Sequence, residues 1–290
     1  MSLNVEELEQ CRTLLFIPAN EQRFIAKANQ RGAGGIILDL EDSISPDQKD
    51  AARGAVGQAA VELKRLGVEH VLVRINPQNM QDIAAAVSPD VDALVLPKVQ
   101  SADDVKQAGL ALAAAEQRCG MPEGHTRLLL LIETPEAVVN VAALAAGDRV
   151  IGLILGSEDL ALSLGVEPTT ESLSYAASAI VIAARATRTV PMGIPGSLAA
   201  ILDRDAFTAS VSRGRALGMA GAVCIHPNQV DAVNQVFAPS PQAVLEAQRV
   251  LDAFDESLRS GRGAVMFDGR MLDLPIVERA RRTVMRSRLS

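Results

Sequence analysis

Eight short apolar segments recur along the chain, and longer segments with polar residues at helical spacing separate them. The apolar segments are rich in Val, Ile or Leu, as buried strands are. They cover residues 14–18, 35–40, 71–75, 93–97, 128–132, 150–155, 190–194 and 222–225. Between them, helices are predicted over segments that include 47–66, 102–116, 135–146 and 171–185. Alternating strands and helices predict a parallel sheet, and eight such units predict closure into a (β/α)8 barrel.

The chain continues past the eighth predicted strand for a stretch that a barrel does not need. A helix is predicted over 239–259, and Gly261 and Gly263 end it. Residues 264–275 resemble a hairpin, and a last helix is predicted to begin near Pro275, since proline is favoured in the first turn. We therefore predict a barrel over 1–238 and a C-terminal helical and hairpin extension over 239–290 that serves as a lid.

Composition excludes several classes of function. A net charge of −7 and a pI near 5.1 argue against a nucleic-acid surface. The basic stretch over 279–288 is interpreted as the solvated end of a helix, with a tail that binds polyanions as the alternative. No apolar segment is long enough to span a bilayer, and the N-terminus lacks the apolar region of a signal peptide. Cys11, Cys119 and Cys224 fit neither a disulfide framework nor a zinc site, so we expect a cytoplasmic protein.

Polar residues follow most of the predicted strands. In a barrel all these positions meet at the C-terminal rim, where such enzymes carry out their chemistry. Charged residues beside apolar strands are costly unless they are paired or functional. They include Asp39, Glu41, Asp42, Arg74, Lys98, Glu133, Glu158, Asp159 and His226. The rim is therefore the predicted catalytic site.

Glu133 and Asp159 follow adjacent predicted strands, so their carboxylates are expected to lie close together. Two carboxylates completed by water and substrate oxygens form the kind of site that magnesium prefers. The alternative is structural: Glu133 caps the next helix and Asp159 pairs with an arginine. Spacing alone leaves both interpretations open.

Arg74, Lys98 and His226 each have a functional and a structural interpretation. Arg74 can hold a substrate carboxylate with its planar guanidinium, or form a salt bridge to Asp39 or Glu41. Lys98 can contact substrate, form a Schiff base or pair with acids, and the Schiff base is the least favoured. His226 is favoured as a structural residue over a base or a metal ligand.

Eight motifs in register resemble those of the citrate lyase β-subunit-like family, which includes HpcH/HpaI aldolases and the malyl-CoA and citramalyl-CoA lyases. They lie at 12–18, 39–42, 74–76, 96–98, 132–134, 156–160, 224–229 and 268–275. Among them are Asp-Leu-Glu-Asp at 39–42, Gly-Ser-Glu-Asp-Leu at 156–160 and Ile-His-Pro-Asn-Gln at 225–229. The motifs span nearly the whole chain, which makes the resemblance specific.

The resemblance implies a site. Mg2+ is expected on Glu133 and Asp159, and Arg74 is expected to hold the carboxylate of an α-keto acid. Arg12 and Lys98 are the further expected substrate contacts, and Arg23 and Lys27 the expected contacts to coenzyme A phosphates. Asp273, in the extension, is expected to act as the proton-transfer residue, supplied as part of a lid across a neighbouring subunit. Without the family pattern, Asp273 would be interpreted as the N-cap of the last helix.

These expectations lead to a function. The chain is predicted to be a carbon–carbon lyase that cleaves citramalyl-CoA or malyl-CoA to acetyl-CoA and pyruvate or glyoxylate, in a homo-oligomer such as a trimer or hexamer. One alternative is a citrate lyase β subunit that cleaves a citryl thioester on an acyl carrier protein to oxaloacetate. A second alternative is a pyruvate-type aldolase that acts on aldehydes. A third is a non-catalytic regulator that binds CoA, since a fold does not prove an activity.

Overall fold

The computed structural model describes residues 2–259 and 265–287. Eight parallel strands form one sheet, in the order β7-β6-β5-β4-β3-β2-β1-β8. They are β1 Thr13–Pro18, β2 Gly35–Asp39, β3 His70–Arg74, β4 Ala93–Leu96, β5 Arg127–Ile132, β6 Val150–Leu155, β7 Val190–Met192 and β8 Ala222–Cys224. Each lies within two residues of its predicted bounds.

The first and last strands in the sheet order, β7 and β8, are joined by a few backbone contacts that close the barrel. Met192 forms a parallel bridge to Gly221. The Gly193 N–H donates to the Gly221 carbonyl at 2.9 Å, and the Ala220 N–H donates to Pro191 at 2.8 Å. A Cβ on Gly221 would lie 2.2 Å from the Arg12 carbonyl oxygen, so the closure requires glycine there. The predicted (β/α)8 barrel is confirmed.

Helices surround the strands. The barrel helices are α1 Val5–Cys11, α2 Gln22–Ile25, α3 Lys49–Arg65, α4 Met80–Ala86, α5 Ala102–Arg118, α6 Pro135–Val139, α7 Val141–Ala145, α8 Ser157–Leu164, α9 Thr170–Thr187, α10 Arg204–Leu217 and α11 Pro227–Phe237. The helix predicted over 135–146 is instead two short helices that meet at Asn140, whose side-chain amide donates to the Gln100 carbonyl. Among the described helices, none is both long and apolar enough to cross a bilayer.

Burial explains why these segments form strands and helices. All residues of β2 and β6 are buried, because parallel strands in a barrel have packed neighbours on both faces. Helix α3 buries one stripe at helical spacing, from Ala52 through Val56 to Leu63, and exposes its polar face. Side-chain caps begin several helices directly after a strand. Thr134, for example, caps α6 by accepting from the Ala137 N–H at 3.1 Å.

The chain divides into two compact units, Met1–Asn234 and Gln235–Ser290. The second contains α12 Pro241–Arg259, the antiparallel strands β9 Val265–Phe267 and β10 Arg270–Leu272, and α13 Leu274–Ser287. Their small core is centred on Phe254, Leu272 and Val277. Both hairpin loop residues have positive φ, 47° at Asp268 and 75° at Gly269, as a two-residue Asp-Gly turn requires. The predicted helices and hairpin are thus present, while Gly261, Gly263 and Arg288 lie outside the described residues. The role of a lid stays a prediction.

Candidate active site

A cavity of about 710 Å3 opens at the carboxyl ends of the barrel strands. Residues that end or follow β1, β2, β3, β5, β6 and β8 line it. The charged and titratable side chains among them are Arg31, Asp39, Asp42, Arg74, Glu133, Glu158, Asp159 and His226. The cavity therefore collects most of the polar residues predicted for the rim, in the place where barrel enzymes bind their substrates.

Glu133 is buried at the end of β5 and is held from two sides. The Lys98 backbone N–H donates to Glu133 Oε1 at 2.6 Å. On the other side, a Cβ added to Gly156 would lie 2.8 Å from Glu133 Oε2. Because Thr134 caps α6, the alternative that Glu133 is a helix cap is wrong. The carboxylate is thus oriented by its neighbours and directed into the cavity.

Glu133 and Asp159 line the same cavity. Burial raises the pKa of Glu133 to about 8; the Lys98 hydrogen bond opposes this shift, and the carboxylates of Asp159 and Glu41 add to it. A cation between two such carboxylates would favour their charged forms and remove the repulsion. The local electrostatics therefore suit a bound cation.

The donor set fits magnesium better than a transition metal. Within the described residues, no three His, Cys, Asp or Glu side chains gather to hold a metal by themselves. Magnesium is commonly bound through one or two carboxylates, with water and substrate supplying the other oxygens. Two carboxylates meet that requirement here: Glu133, which packs against the backbone of Gly156, and half-buried Asp159.

Arg74 forms a network with the acids that follow β2. Its Nε and Nη2 donate to the two oxygens of Asp39, both at 2.7 Å. Its Nη1 lies 2.8 Å from Glu41 Oε2 and 3.2 Å from Asp42 Oδ2. The guanidinium also lies 4.7 Å from the centre of the Phe16 ring. The salt bridges considered from the sequence are therefore present, and Arg74 still lines the cavity.

The two buried acids beside Arg74 respond differently to it. Burial would raise the pKa of Asp39, but its hydrogen bonds and the charge of Arg74 lower that pKa below its usual value. Burial raises the pKa of Glu41 to about 7, although the charge of Arg74 opposes the shift. Asp39 is consequently the permanent counterion of Arg74, while Glu41 can hold a proton near neutrality.

Two predicted substrate contacts lie away from the cavity. Arg12 precedes β1, and the six residues of that strand span about 20 Å, so Arg12 is at the opposite end of the barrel from Glu133. An arginine at that end cannot contact a ligand beside Glu133. The Lys98 side chain is exposed and lines a separate cavity of about 270 Å3, with Met80 and Gln107 among its neighbours. The backbone N–H of Lys98, rather than its side chain, contacts Glu133.

The segment after β1 lines the mouth of the cavity, but with residues other than those predicted. Arg23 is exposed, pairs with Glu21 at 3.0 Å and stacks 4.7 Å from the Phe24 ring centre. Lys27 is also exposed. Phe24 and Arg31 are the residues of this segment that line the cavity, and the sequence analysis missed both. Arg31 could have been identified from the sequence, because it is a basic residue one helical turn beyond Lys27.

His226 lines the cavity at the end of β8 and is fixed by its neighbours. The Asn228 N–H donates to His226 Nδ1 at 3.2 Å, so the neutral imidazole carries its proton on Nε2. Gln229 Oε1 accepts from the backbone N–H groups of Ile225 and His226, at 2.9 and 3.1 Å. These contacts match the structural role favoured from the sequence, and Nε2 remains as a donor.

Asp273 belongs to the second unit and begins α13. The Ile276 N–H donates to Asp273 Oδ1 at 3.2 Å, which is an N-cap contact. The side chain is otherwise exposed. The capping role considered from the sequence is therefore present, and the proton-transfer role stays a prediction.

Comparison with known proteins shows similarity along nearly the whole chain. The model of the HpcH/HpaI aldolase/citrate lyase family matches residues 12–227. The citrate lyase subunit beta of Leuconostoc mesenteroides is 33% identical, over 97% of this chain and 94% of its own length. The (3S)-malyl-CoA thioesterase of Cereibacter sphaeroides is 32% identical, over 95% and 94%.

A solved structure extends the similarity to the fold. It is that of Mycobacterium tuberculosis protein CitE in complex with magnesium, acetoacetate and coenzyme A. That structure superimposes with a TM-score of 0.75 at 28% identity and covers 95% of this chain and 97% of its own. The similarity thus includes both the barrel and the residues beyond it.

Proposed function

Because this chain belongs to the HpcH/HpaI aldolase/citrate lyase family, we propose that it is a magnesium-dependent carbon–carbon lyase. Its proposed substrate is a 3-hydroxyacyl thioester, citramalyl-CoA or malyl-CoA, and its products are acetyl-CoA and pyruvate or glyoxylate. One observation carries the proposal: Glu133 and Asp159 line one cavity, and Lys98 and Gly156 orient Glu133 toward it. A related protein from M. tuberculosis binds magnesium and coenzyme A, which supports this interpretation.

Glu133 and Asp159 are the proposed metal ligands. When bound there, magnesium supplies Lewis-acid polarisation of the substrate's hydroxyl or keto oxygen. By holding the metal, the two carboxylates would fix the position of the substrate's keto-acid half, and the buried surroundings of Glu133 limit access of water. Such positioning lowers the barrier because the reacting groups are already aligned.

The substrate carboxylate is proposed to lie between Arg74 and the first turn of α8. The four contacts of Arg74 to Asp39, Glu41 and Asp42 leave about one of its N–H donors for a ligand. Its charge nevertheless acts across the cavity. The N–H groups of the first turn of α8 have no partners within the helix, and such groups favour anions.

Proton transfer is assigned to Asp273 of a neighbouring subunit. As the carbon–carbon bond breaks, the substrate hydroxyl loses its proton to water and becomes the keto group. The electron pair of the broken bond stays on the acetyl-thioester carbon, and Asp273 would donate a proton to that carbon. This role requires a homo-oligomer in which the extension of one subunit covers the barrel of another. A trimer or a hexamer would satisfy that requirement.

The thioester is proposed to approach along the segment after β1. Phe24 offers an aromatic face and Arg31 a guanidinium at the cavity, while exposed Arg23 and Lys27 add positive charge beside them. Guanidinium groups bind phosphate through paired hydrogen bonds, which suits the phosphates of coenzyme A. Lys98 would contribute charge near Glu41 rather than a direct contact in the cavity.

A citrate lyase β subunit is the second candidate. It is favoured by the 33% identity to a protein of that name over nearly the whole chain. The same two carboxylates would serve a citryl thioester, with oxaloacetate as the keto acid released. A non-catalytic regulator is disfavoured, because a binding protein has no need of an oriented pair of buried and half-buried carboxylates.

The test is to incubate the purified protein and Mg2+ with citramalyl-CoA, malyl-CoA and citryl-CoA separately, and to measure acetyl-CoA and free CoA by mass spectrometry. EDTA and the Glu133→Ala variant are the controls. Metal-dependent acetyl-CoA from one substrate supports the proposal and identifies the keto acid. Free CoA without acetyl-CoA would indicate thioester hydrolysis instead. A folded protein that releases neither product rejects the stand-alone lyase.

A further inference from the structure

Ser157 is buried in the wall of the catalytic cavity without a hydrogen-bond partner. Its side chain is 1% exposed and it lines the cavity as the first residue of α8. Within the described residues, Ser157 Oγ has no donor or acceptor in range. Buried hydroxyl groups are nearly always hydrogen-bonded, because a buried hydroxyl without a partner has lost the hydrogen bonds that it would make to water. The residue lines the cavity while its Oγ is closed to solvent, so a rotation of the side chain would bring the hydroxyl to a ligand in the cavity that supplies the missing partner.

The surrounding acids do not supply that partner. Ser157 follows Gly156, whose backbone contacts Glu133, and it precedes Asp159 by two residues. Although both carboxylates are close in the chain or in space, neither accepts from the serine. Once they bind a cation, their oxygens face the metal and become less available. The acceptor that remains is an oxygen atom of the substrate held beside the metal.

We propose that Ser157 is a specificity-determining residue, whose hydroxyl donates to an oxygen of the keto-acid half of the substrate. This inference rests on the proposed function and adds to it a residue that discriminates between ligands. A ligand with a carboxylate beside its keto group satisfies the hydroxyl. A ligand without that carboxylate, such as an aldehyde or a simple ketone, leaves it buried and unpaired.

The test measures binding rather than turnover. Titration calorimetry of the Mg2+-loaded protein with pyruvate, glyoxylate and oxaloacetate gives the affinity for each keto acid, and Mn2+ titration gives the affinity for metal. The variants are Ser157→Ala, which removes the hydroxyl, and Ser157→Thr, which retains it. Ser174→Ala is the matched control, because that serine already bonds to the Thr170 carbonyl in α9. Thermal melts check that each variant is folded.

Ser157→Ala is expected to weaken keto-acid binding by about tenfold or more, the effect of losing a hydrogen bond to a charged acceptor. Metal affinity should not change, Ser157→Thr should retain binding, and Ser174→Ala should match the native protein. Equal keto-acid affinity in Ser157→Ala overturns this inference and leaves the lyase proposal standing. A parallel loss of Mn2+ affinity overturns it too, since the hydroxyl would then support the metal. If the native protein binds metal but no keto acid, both proposals fail.

Discussion

The backbone N–H of Lys98 donates a hydrogen bond of 2.6 Å to Glu133 Oε1, and Lys98 itself has a φ of 53°. Residues other than glycine rarely adopt this left-handed conformation, which costs about 1–2 kcal/mol. Strain of this kind is retained where the surrounding structure and the function require it. The end of β4 thus orients the proposed metal ligand at the end of β5.

Gly156→Ala should weaken metal binding without unfolding the protein. The new Cβ would lie 2.6 Å from Glu133 Cβ and 2.8 Å from Oε2, so the carboxylate must move. Displacing a ligand through its neighbours typically costs about 10- to 100-fold in metal affinity. Titration with Mn2+ measures the loss.

Gly54→Ala is the matched control, because a Cβ on that exposed residue of α3 has no atom within 4 Å. The control should bind Mn2+ like the native protein and gain about 1 kcal/mol of stability from its better helix propensity. Equal metal affinity in both alanine variants would mean that Glu133 does not bind the metal.

Arg31→Ala should weaken binding of coenzyme A more than Arg23→Ala does. Arg31 lines the cavity, whereas Arg23 is exposed and already paired with Glu21. Loss of a guanidinium contact to phosphate is expected to reduce affinity about tenfold. Calorimetric titration with coenzyme A and with dephospho-coenzyme A compares the two variants. A larger effect at Arg23 would restore the interpretation made from the sequence.

Much of this site followed from the sequence because strand ends are easy to locate in a parallel barrel. The apolar runs of β5 and β6 are unmistakable; Glu133 directly follows β5, and Asp159 lies four residues beyond the end of β6, in α8. The direction of each strand is also known from the sequence. Arg12 precedes β1 and therefore lies at the end of the barrel opposite the site, so strand direction alone argues against the expected substrate contact.

Other features depend on tertiary contacts that no motif encodes. The sequence placed Lys98 at the rim but gave no means to tell its side chain from its backbone, and it is the N–H that holds Glu133. Ser157 resembles an ordinary first residue of a helix until its burial without a partner is seen. Phe24 in α2 and Arg31 beyond it line the cavity, and this placement depends on how the whole segment between β1 and β2 folds over the strand ends.

Glu116→Gln should destabilise the barrel in a manner that depends on pH. Glu116 is fully buried and accepts from the N–H groups of Gly124 and Thr126 and from Arg149. Burial would raise its pKa, but these hydrogen bonds and the charge of Arg149 lower it below its usual value. Removing the charge leaves Arg149 unpaired, which is expected to cost about 3 kcal/mol at neutral pH.

The sign of the pH effect follows from the lowered pKa. The charged form of Glu116 stabilises the folded state above the ordinary glutamate pKa, and this contribution is lost as pH falls through the folded-state pKa. Urea unfolding of the native protein and Glu116→Gln should therefore differ most at neutral pH and converge in acid. Glu123→Gln, at an exposed residue of the loop that follows α5, should show no such difference. A gap that stays constant with pH would contradict the assignment.

Asp273→Asn should separate the two roles of this residue. Asparagine caps helices as well as aspartate does, so the contact to the Ile276 N–H, and with it the stability of α13, should persist. An amide cannot donate a proton as a carboxylic acid can, and losing an acid catalyst typically costs about 100- to 10,000-fold in rate. Acetyl-CoA release should therefore fall by that range at unchanged metal affinity. Asp273→Ala should lose the cap as well, at about 1 kcal/mol. If Asp273→Asn keeps full activity while Asp273→Ala is destabilised, the residue is a helix cap alone and the proton comes from another group. Glu41, which is buried against Arg74 beside the cavity and has a raised pKa, is then the first residue to test.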